Sequence, residues 1–163
     1  MVKREMTRIK ICGITNLEDA VNAAQLGVDA LGFILAPSKR KVTPDHVKNI
    51  IKELPPFITT VGVFMDEGLL RVNEIIAQTN IDAVQLHGDE PPEYCHRVAR
   101  RVIKRIRVSE EDTTGSLIMQ IKKYDVSAYL LDPGTGDGKT FNYNLVAGID
   151  QPLSLIHISE PTR

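Results

Sequence analysis

The sequence predicts an α/β protein built on a parallel sheet, and three observations carry that prediction. Short apolar runs alternate with segments of helical periodicity along most of the 163 residues, giving six strand–helix repeats of roughly 25 residues each. No tight hairpin signals separate those runs, so successive strands have to be joined by crossovers. Polar or reactive residues also stand at the carboxyl ends of several runs: Cys12 after the first, Gln85-Leu86-His87 at the fourth and Asp132 at the sixth. An open doubly wound sheet and a (β/α)₈ barrel both fit the alternation. Several strands contributing to one rim favours the barrel mouth over a Rossmann-like cleft.

The elements follow in order. Arg8 to Cys12 alternates and is rich in isoleucine, so it reads as strand one, ended by Gly13. Thr15-Asn16 offers an N-cap for "LEDAVNAAQLG", whose Leu17, Val21, Ala24 and Val28 share roughly one helical face. "ALGFILA" is strand two. Thr43-Pro44 supplies a cap and a proline at the first helical position of "PDHVKNIIKEL". "TTVGVFM" and "EGLLRVNEIIAQT" form the third unit, with Leu69, Val72, Ile75 and Ile76 as the apolar stripe. "AVQL" is strand four and "PPEYCHRVARR" a proline-led helix four. "VIKRIRV", "LIMQIKKY" and "AYLLD" are strand five, helix five and strand six, and a short helix is expected in "NYNLVAG".

Composition narrows the class. With 42% hydrophobic and 25% charged residues the chain has enough apolar content for one ordinary core. A net charge of −1, with "KRK" at Lys39 to Lys41 as the longest basic run, gives no nucleic-acid stripe. The two cysteines lie 83 residues apart, which offers neither a disulfide framework nor a metal spacing and fits a reducing cytoplasm. His46, His87, His96 and His157 form no metal-binding cluster, so no metal is expected. No apolar run approaches the 18 residues a membrane span needs, and "MVKREMTR" lacks a signal-peptide core, so no membrane partner is expected either.

Two motifs bear on chemistry. "LLDPGTGDGKTFN" has a Gly-Lys-Thr at 138–140, but the position where a P-loop needs its first glycine is Pro133, which has no N–H to offer a phosphate. A nucleotide site is therefore not expected. Cys12 and Asp132 form the other candidate. A thiolate is a competent base, and a carboxylic acid kept protonated by an apolar setting is a competent acid. Lys10 shares the strand face of Cys12. The competing readings are a small thiol that merely packs and an aspartate that braces the glycine-rich loop after it.

"KICGIT", "DALGFILAPSKRKVTP", "VGVF", "AVQLHGDE", "VIKRIRV" and "LLDPGTGDGKTFN" stand in the order and spacing of the phosphoribosylanthranilate isomerases, and the sequence resembles that family over about residues 8 to 153. The resemblance implies a (β/α)₈ barrel, no cofactor, no metal and a small phosphoribosyl substrate. It implies the third step of tryptophan synthesis, an Amadori rearrangement of N-(5-phosphoribosyl)anthranilate to 1-(o-carboxyphenylamino)-1-deoxyribulose 5-phosphate. Cys12 matches the family's general base and Asp132 its general acid. Arg40 matches the arginine that helps to hold the anthranilate carboxylate, a task suited to a guanidinium fork. Gln85 and His87 resemble mouth residues that touch substrate, although His87 also fits a structural strand-end histidine.

The sequence departs from the family in two places. "GTGDGKT" follows Asp132 almost at once, where the family often has a longer loop and a Gly-Gly-Thr-Gly-Lys-Thr. After "GIDQPL" the family continues into a seventh strand with a Gly-Gly turn and an eighth with its own glycine-rich turn, which hold the substrate phosphate. Here "SLIHISEPTR" follows instead. Residues 1–153 are therefore expected to form a partial barrel of about six to seven βα units, and 154–163 a non-native tail, with "LSLIHI" as a seventh strand the competing reading. On that basis the chain alone is expected to have little activity. The alternative is a binding or interaction module completed by another chain.

Overall fold

In the computed structural model, the structure describes residues 7–134, 141–146 and 148–155. Seven strands, β1 (Lys10–Cys12), β2 (Ala30–Ile34), β3 (Thr59–Phe64), β4 (Ala83–Leu86), β5 (Arg101–Arg107), β6 (Ala128–Asp132) and β7 (Leu153–Leu155), form one sheet in sequential order. Every neighbouring pair is parallel. A doubly wound sheet reverses its strand order at a switch point, whereas sequential order throughout is that of a barrel wall. The sheet is a curled part of such a barrel, and all its carboxyl ends lie on one side. β7 crosses the boundary drawn at residue 153. The Gly138-Lys139-Thr140 segment, His157 and residues 156–163 lie outside the described residues.

The helices form where capping and periodicity agree. Asn16 accepts the N–H of Asp19 at the start of α1 (Leu17–Gln25), and Thr43 accepts that of His46 ahead of Pro44 in α2 (Pro44–Glu53). α3 (Leu69–Thr79) buries Val72, Ile75 and Ile76, and closes on Asn80 in the left-handed region. α5 (Thr114–Ile121) starts earlier than its apolar run because Thr113 and Ser116 make a reciprocal capping box.

α4 is a single turn, Pro92–Cys95, rather than the long proline-led helix its sequence predicts. Its continuation is diverted by a non-local partner: the Asn73 side chain on α3 donates to the Arg97 carbonyl at 3.0 Å and accepts the Ala99 N–H at 3.0 Å. Those backbone groups are satisfied without a helix, so the chain turns directly into β5. The short helix expected in "NYNLVAG" is a 3₁₀ turn over Tyr143–Val146.

The core lies between sheet and helices. Leu31 and Phe33 of β2, Phe64 of β3, Val84 and Leu86 of β4 and Val102 of β5 pack with the buried faces of α1 to α3. Ile106, Tyr129 and Leu131 join Leu117 and Ile121 of α5 in a second cluster. Because strand side chains alternate, this outward set fixes the inward one: Lys10 and Cys12, Gly32, Val63, Gln85, Ile103, Arg105 and Arg107, and Leu130 and Asp132. The packing of the outer layer thus aims the candidate site residues of β4 and β6 at the barrel's inner face, and the register of Cys12 with Gly32 puts Cys12 on that face too.

Candidate active site

Cys12 ends β1 opposite Gly32 of β2. The glycine makes room for the thiol: a Cβ at position 32 would stand 2.8 Å from Cys12 Sγ. Gly13, next in the chain, has φ +91°, and a Cβ there would meet Arg40 Nη1 at 2.5 Å. Glycine is needed at 13 both for that backbone turn and for the close approach of the guanidinium. Arg40 comes from the β2–α2 loop and donates from Nη1 to the Cys12 carbonyl at 3.1 Å. The exposed arginine therefore sits at the rim beside the cysteine.

A second group spans β4 to β6. Gln85, 3% exposed, has its Nε2 3.2 Å from His87 Nδ1. His87 Nε2 is 3.2 Å from Asp132 Oδ2, and Arg105 donates from Nε to that same oxygen at 2.9 Å. Arg105 also donates from Nη1 to the His87 carbonyl at 3.2 Å, and the Gly134 N–H donates to Asp132 Oδ1 at 2.9 Å. Gln85 Oε1 has no hydrogen-bond partner among the described residues. The Asp132 carboxylate can only accept, so His87 Nε2 carries a proton towards it, and in the neutral ring Nδ1 then accepts from Gln85 Nε2.

The electrostatics of Asp132 differ from the apolar setting that sequence reasoning assigned it. Burial raises its proton affinity, but the His87 hydrogen bond, the Gly134 N–H and the Arg105 charge outweigh burial and bring the carboxyl down to about 2. In this arrangement Asp132 is a carboxylate at neutral pH. It also braces the loop after it, through Gly134, so the site geometry and the structural reading coexist at one residue.

Beneath this group a buried ion pair holds the loops. Lys104 Nζ and Glu90 Oε2 are 2.7 Å apart with both side chains 2% exposed. Lys104 also donates to the Gly88 carbonyl at 2.6 Å, while Glu90 Oε1 accepts the N–H of Asp66 at 2.9 Å and that of Gly88 at 3.3 Å. The pair therefore ties the β3–α3 and β4–α4 loops to β5, and through Gly88 it anchors the residue after His87.

The structure gathers Gln85, His87 and Asp132 into one hydrogen-bonded chain and Cys12 with Arg40 into another, at the same end of the sheet. No hydrogen bond joins the two groups among the described residues. Sequence reasoning missed Arg105, Glu90, Lys104 and Gly32. The alternation of "KRIR" was the available signal for Arg105, since it places 105 and 107 on the face opposite Lys104 and Ile106. Among the described residues no group of three or more histidine, cysteine, aspartate or glutamate side chains is placed to hold a metal.

A sequential parallel α/β sheet with a thiol, an imidazole and a carboxylate at its carboxyl rim defines the class: a barrel-type protein with titratable groups gathered at its mouth. Residues 9–156 match the family model for N-(5'-phosphoribosyl)anthranilate isomerase. The isomerase of that name from Pelobacter propionicus is 47% identical over 149 residues, covering 88% of this chain and 69% of the relative. The crystal structure of phosphoribosyl anthranilate isomerase from Thermus thermophilus superposes with a TM-score of 0.82 at 35% identity, covering 91% of this chain and 76% of that one. A phosphoribosyl anthranilate isomerase in complex with reduced 1-(o-carboxyphenylamino)-1-deoxyribulose 5-phosphate superposes with a TM-score of 0.72 at 31% identity, covering 93% and 87%. The chain belongs to the N-(5'-phosphoribosyl)anthranilate isomerase family.

Proposed function

We infer that this chain isomerises N-(5'-phosphoribosyl)anthranilate in tryptophan biosynthesis, with Cys12 as general base and Asp132 as general acid. The observation that carries the assignment of roles is the placement of both residues on the inner face at the carboxyl ends of β1 and β6, in a chain whose residues 9–156 match the isomerase family. Nothing in the comparisons supports either inactivity of the chain or a role as a binding module.

Starting from a protonated Asp132 and an ionised Cys12, the proton inventory closes on these two groups. Asp132 gives a proton to the furanose ring oxygen as the C1–O bond breaks, and the amine nitrogen's electron pair forms the Schiff base. The Cys12 thiolate then takes the C2 proton, leaving an enolamine. Proton return to C1 from Cys12 and loss of the C2 hydroxyl proton to Asp132 yield the ketone and restore both groups. Arg40 suits the anthranilate carboxylate, because its guanidinium stands at the rim beside Cys12. Gln85 and His87 line the mouth next to Asp132 and orient it.

The substrate is a small phosphorylated molecule. No helix among the described residues is long and apolar enough to cross a membrane, and both cysteines are free thiols; these features support a cytoplasmic location.

The test is turnover of N-(5'-phosphoribosyl)anthranilate by the protein and by Cys12→Ala and Asp132→Asn. Each substitution is expected to lower kcat by at least about 100-fold with the circular dichroism spectrum unchanged. Full activity in either variant would remove that residue from the mechanism.

A further inference from the structure

If Asp132 is the acid, as the preceding reading has it, it has to take up a proton in a setting whose hydrogen bonds favour its ionised form. Its Oδ2 is shared by two donors, Arg105 Nε at 2.9 Å and His87 Nε2 at 3.2 Å, and its Oδ1 takes the Gly134 N–H. A carboxylate so surrounded is a poor proton carrier, since each of these bonds favours the ionised form. For the carboxyl to take up a proton, one partner has to leave.

The three partners are not equally free to do so. The Gly134 donor is backbone. His87 is held on both sides, by Gln85 at Nδ1 and by its own N–H, which donates to the Phe64 carbonyl at 2.8 Å. Arg105 is held at Asp132 and at the His87 carbonyl by side-chain bonds alone. Its guanidinium ends a long flexible side chain on the inner face of β5, 14% exposed. It is also the partner with a full permanent charge, so it responds most strongly to an incoming anion. A phosphoribosylanthranilate brings two, a phosphate and a carboxylate, and a planar fork pairs with either.

We propose that Arg105 is a positioning residue that pairs with the Asp132 carboxylate and is drawn off it by an anionic group of the substrate, so that Asp132 takes up its proton on substrate binding. The proton comes from solvent as the guanidinium leaves, passes to the ring oxygen, and is replaced by the proton lost from the C2 hydroxyl. It returns to solvent when product departs and Arg105 closes back. The device keeps the site from offering an acid to water or to neutral sugars, and it ties acid activation to the charge of the substrate.

The experiment is a titration of the Asp132 carboxyl carbon by ¹³C NMR in aspartate-labelled protein, assigned with Asp132→Asn. Reduced 1-(o-carboxyphenylamino)-1-deoxyribulose 5-phosphate serves as the probe. In the free protein Arg105→Gln should raise the midpoint by a unit or more, a tenfold gain in proton affinity, and saturating probe should raise that of the unsubstituted protein far enough for the carboxyl to carry its proton at neutral pH; a bound probe that leaves it ionised there would overturn the proposal. In Arg105→Gln the probe should add much less. Arg105→Lys, which keeps the cation and loses the fork, should stay near the unsubstituted value and covers the case in which the glutamine variant does not fold. An unchanged midpoint in Arg105→Gln, or a bound probe that leaves Asp132 unmoved, would overturn the proposal alone. A probe that does not bind at all would overturn the substrate reading and the proposal with it.

Discussion

At the scale of single residues, the site depends on side chains that are absent as much as on those present. Cys12 Sγ occupies the space that Gly32 leaves, so Gly32→Ala has to displace the thiol. The expected outcome is a loss of kcat larger than the loss of stability, read by turnover and by urea unfolding of the same variant. Asp132 makes a second prediction. Its carboxyl is lowered from 3.8 to about 2 in the fold, so its contribution to stability is complete above pH 4 and is lost as pH falls toward 2. That contribution is about 2 kcal/mol. Urea unfolding at pH 5 and pH 2 should show it in the unsubstituted protein and not in Asp132→Asn; equal acid sensitivity in both would refute the assigned ion pairing. The strand-end positions of Cys12 and Asp132 were legible in the sequence because a reactive residue at the end of an apolar run is a local pattern. Arg105 was not, because its importance rests on the β5–β6 pairing that sets it beside Leu130, two residues from Asp132.

At the scale of elements, local signals and tertiary partners compete, and the outcome can be traced. The caps at Asn16 and Thr43 and the proline at 44 are local, and α1 and α2 begin where they place them. The single turn of α4 is the opposite case, since the Asn73 amide lies 24 residues from Arg97 in sequence and 26 from Ala99. Asn73→Ala is expected to destabilise by about 0.5–1.5 kcal/mol, the net worth of an ordinary hydrogen bond, because water can reach the exposed backbone groups it leaves; equilibrium unfolding would measure it. The Lys104–Glu90 pair is more sensitive still. Glu90→Gln keeps size and loses charge, leaving Lys104 buried without its counter-ion at a cost of about 3–5 kcal/mol. A double variant replacing both with apolar residues should recover much of that stability but not activity, because the Gly88 and Asp66 backbone groups lose the partners that set the rim loops. Recovery of activity along with stability would show that the pair is structural filler.

At the scale of the whole molecule, sequential parallel pairing makes one rim out of residues far apart in the chain. Cys12 and Asp132 are 120 residues apart in sequence, yet each stands at the carboxyl end of its strand. Strand alternation turns both inward. The alternation of six apolar runs with helices made the parallel sheet legible; the choice between barrel wall and doubly wound sheet turned on pairing order, which no local pattern encodes. In the proposed function one substrate bridges the two hydrogen-bonded groups, with its aromatic carboxylate at Arg40 and its sugar between Cys12 and Asp132. The most direct test is a crystal structure of this protein with reduced 1-(o-carboxyphenylamino)-1-deoxyribulose 5-phosphate. The anthranilate carboxylate is expected on the Arg40 guanidinium and the ribulose chain within hydrogen-bond reach of both Cys12 Sγ and the Asp132 carboxyl. A ligand seated elsewhere, or one that touches only one of the two groups, would contradict that reading.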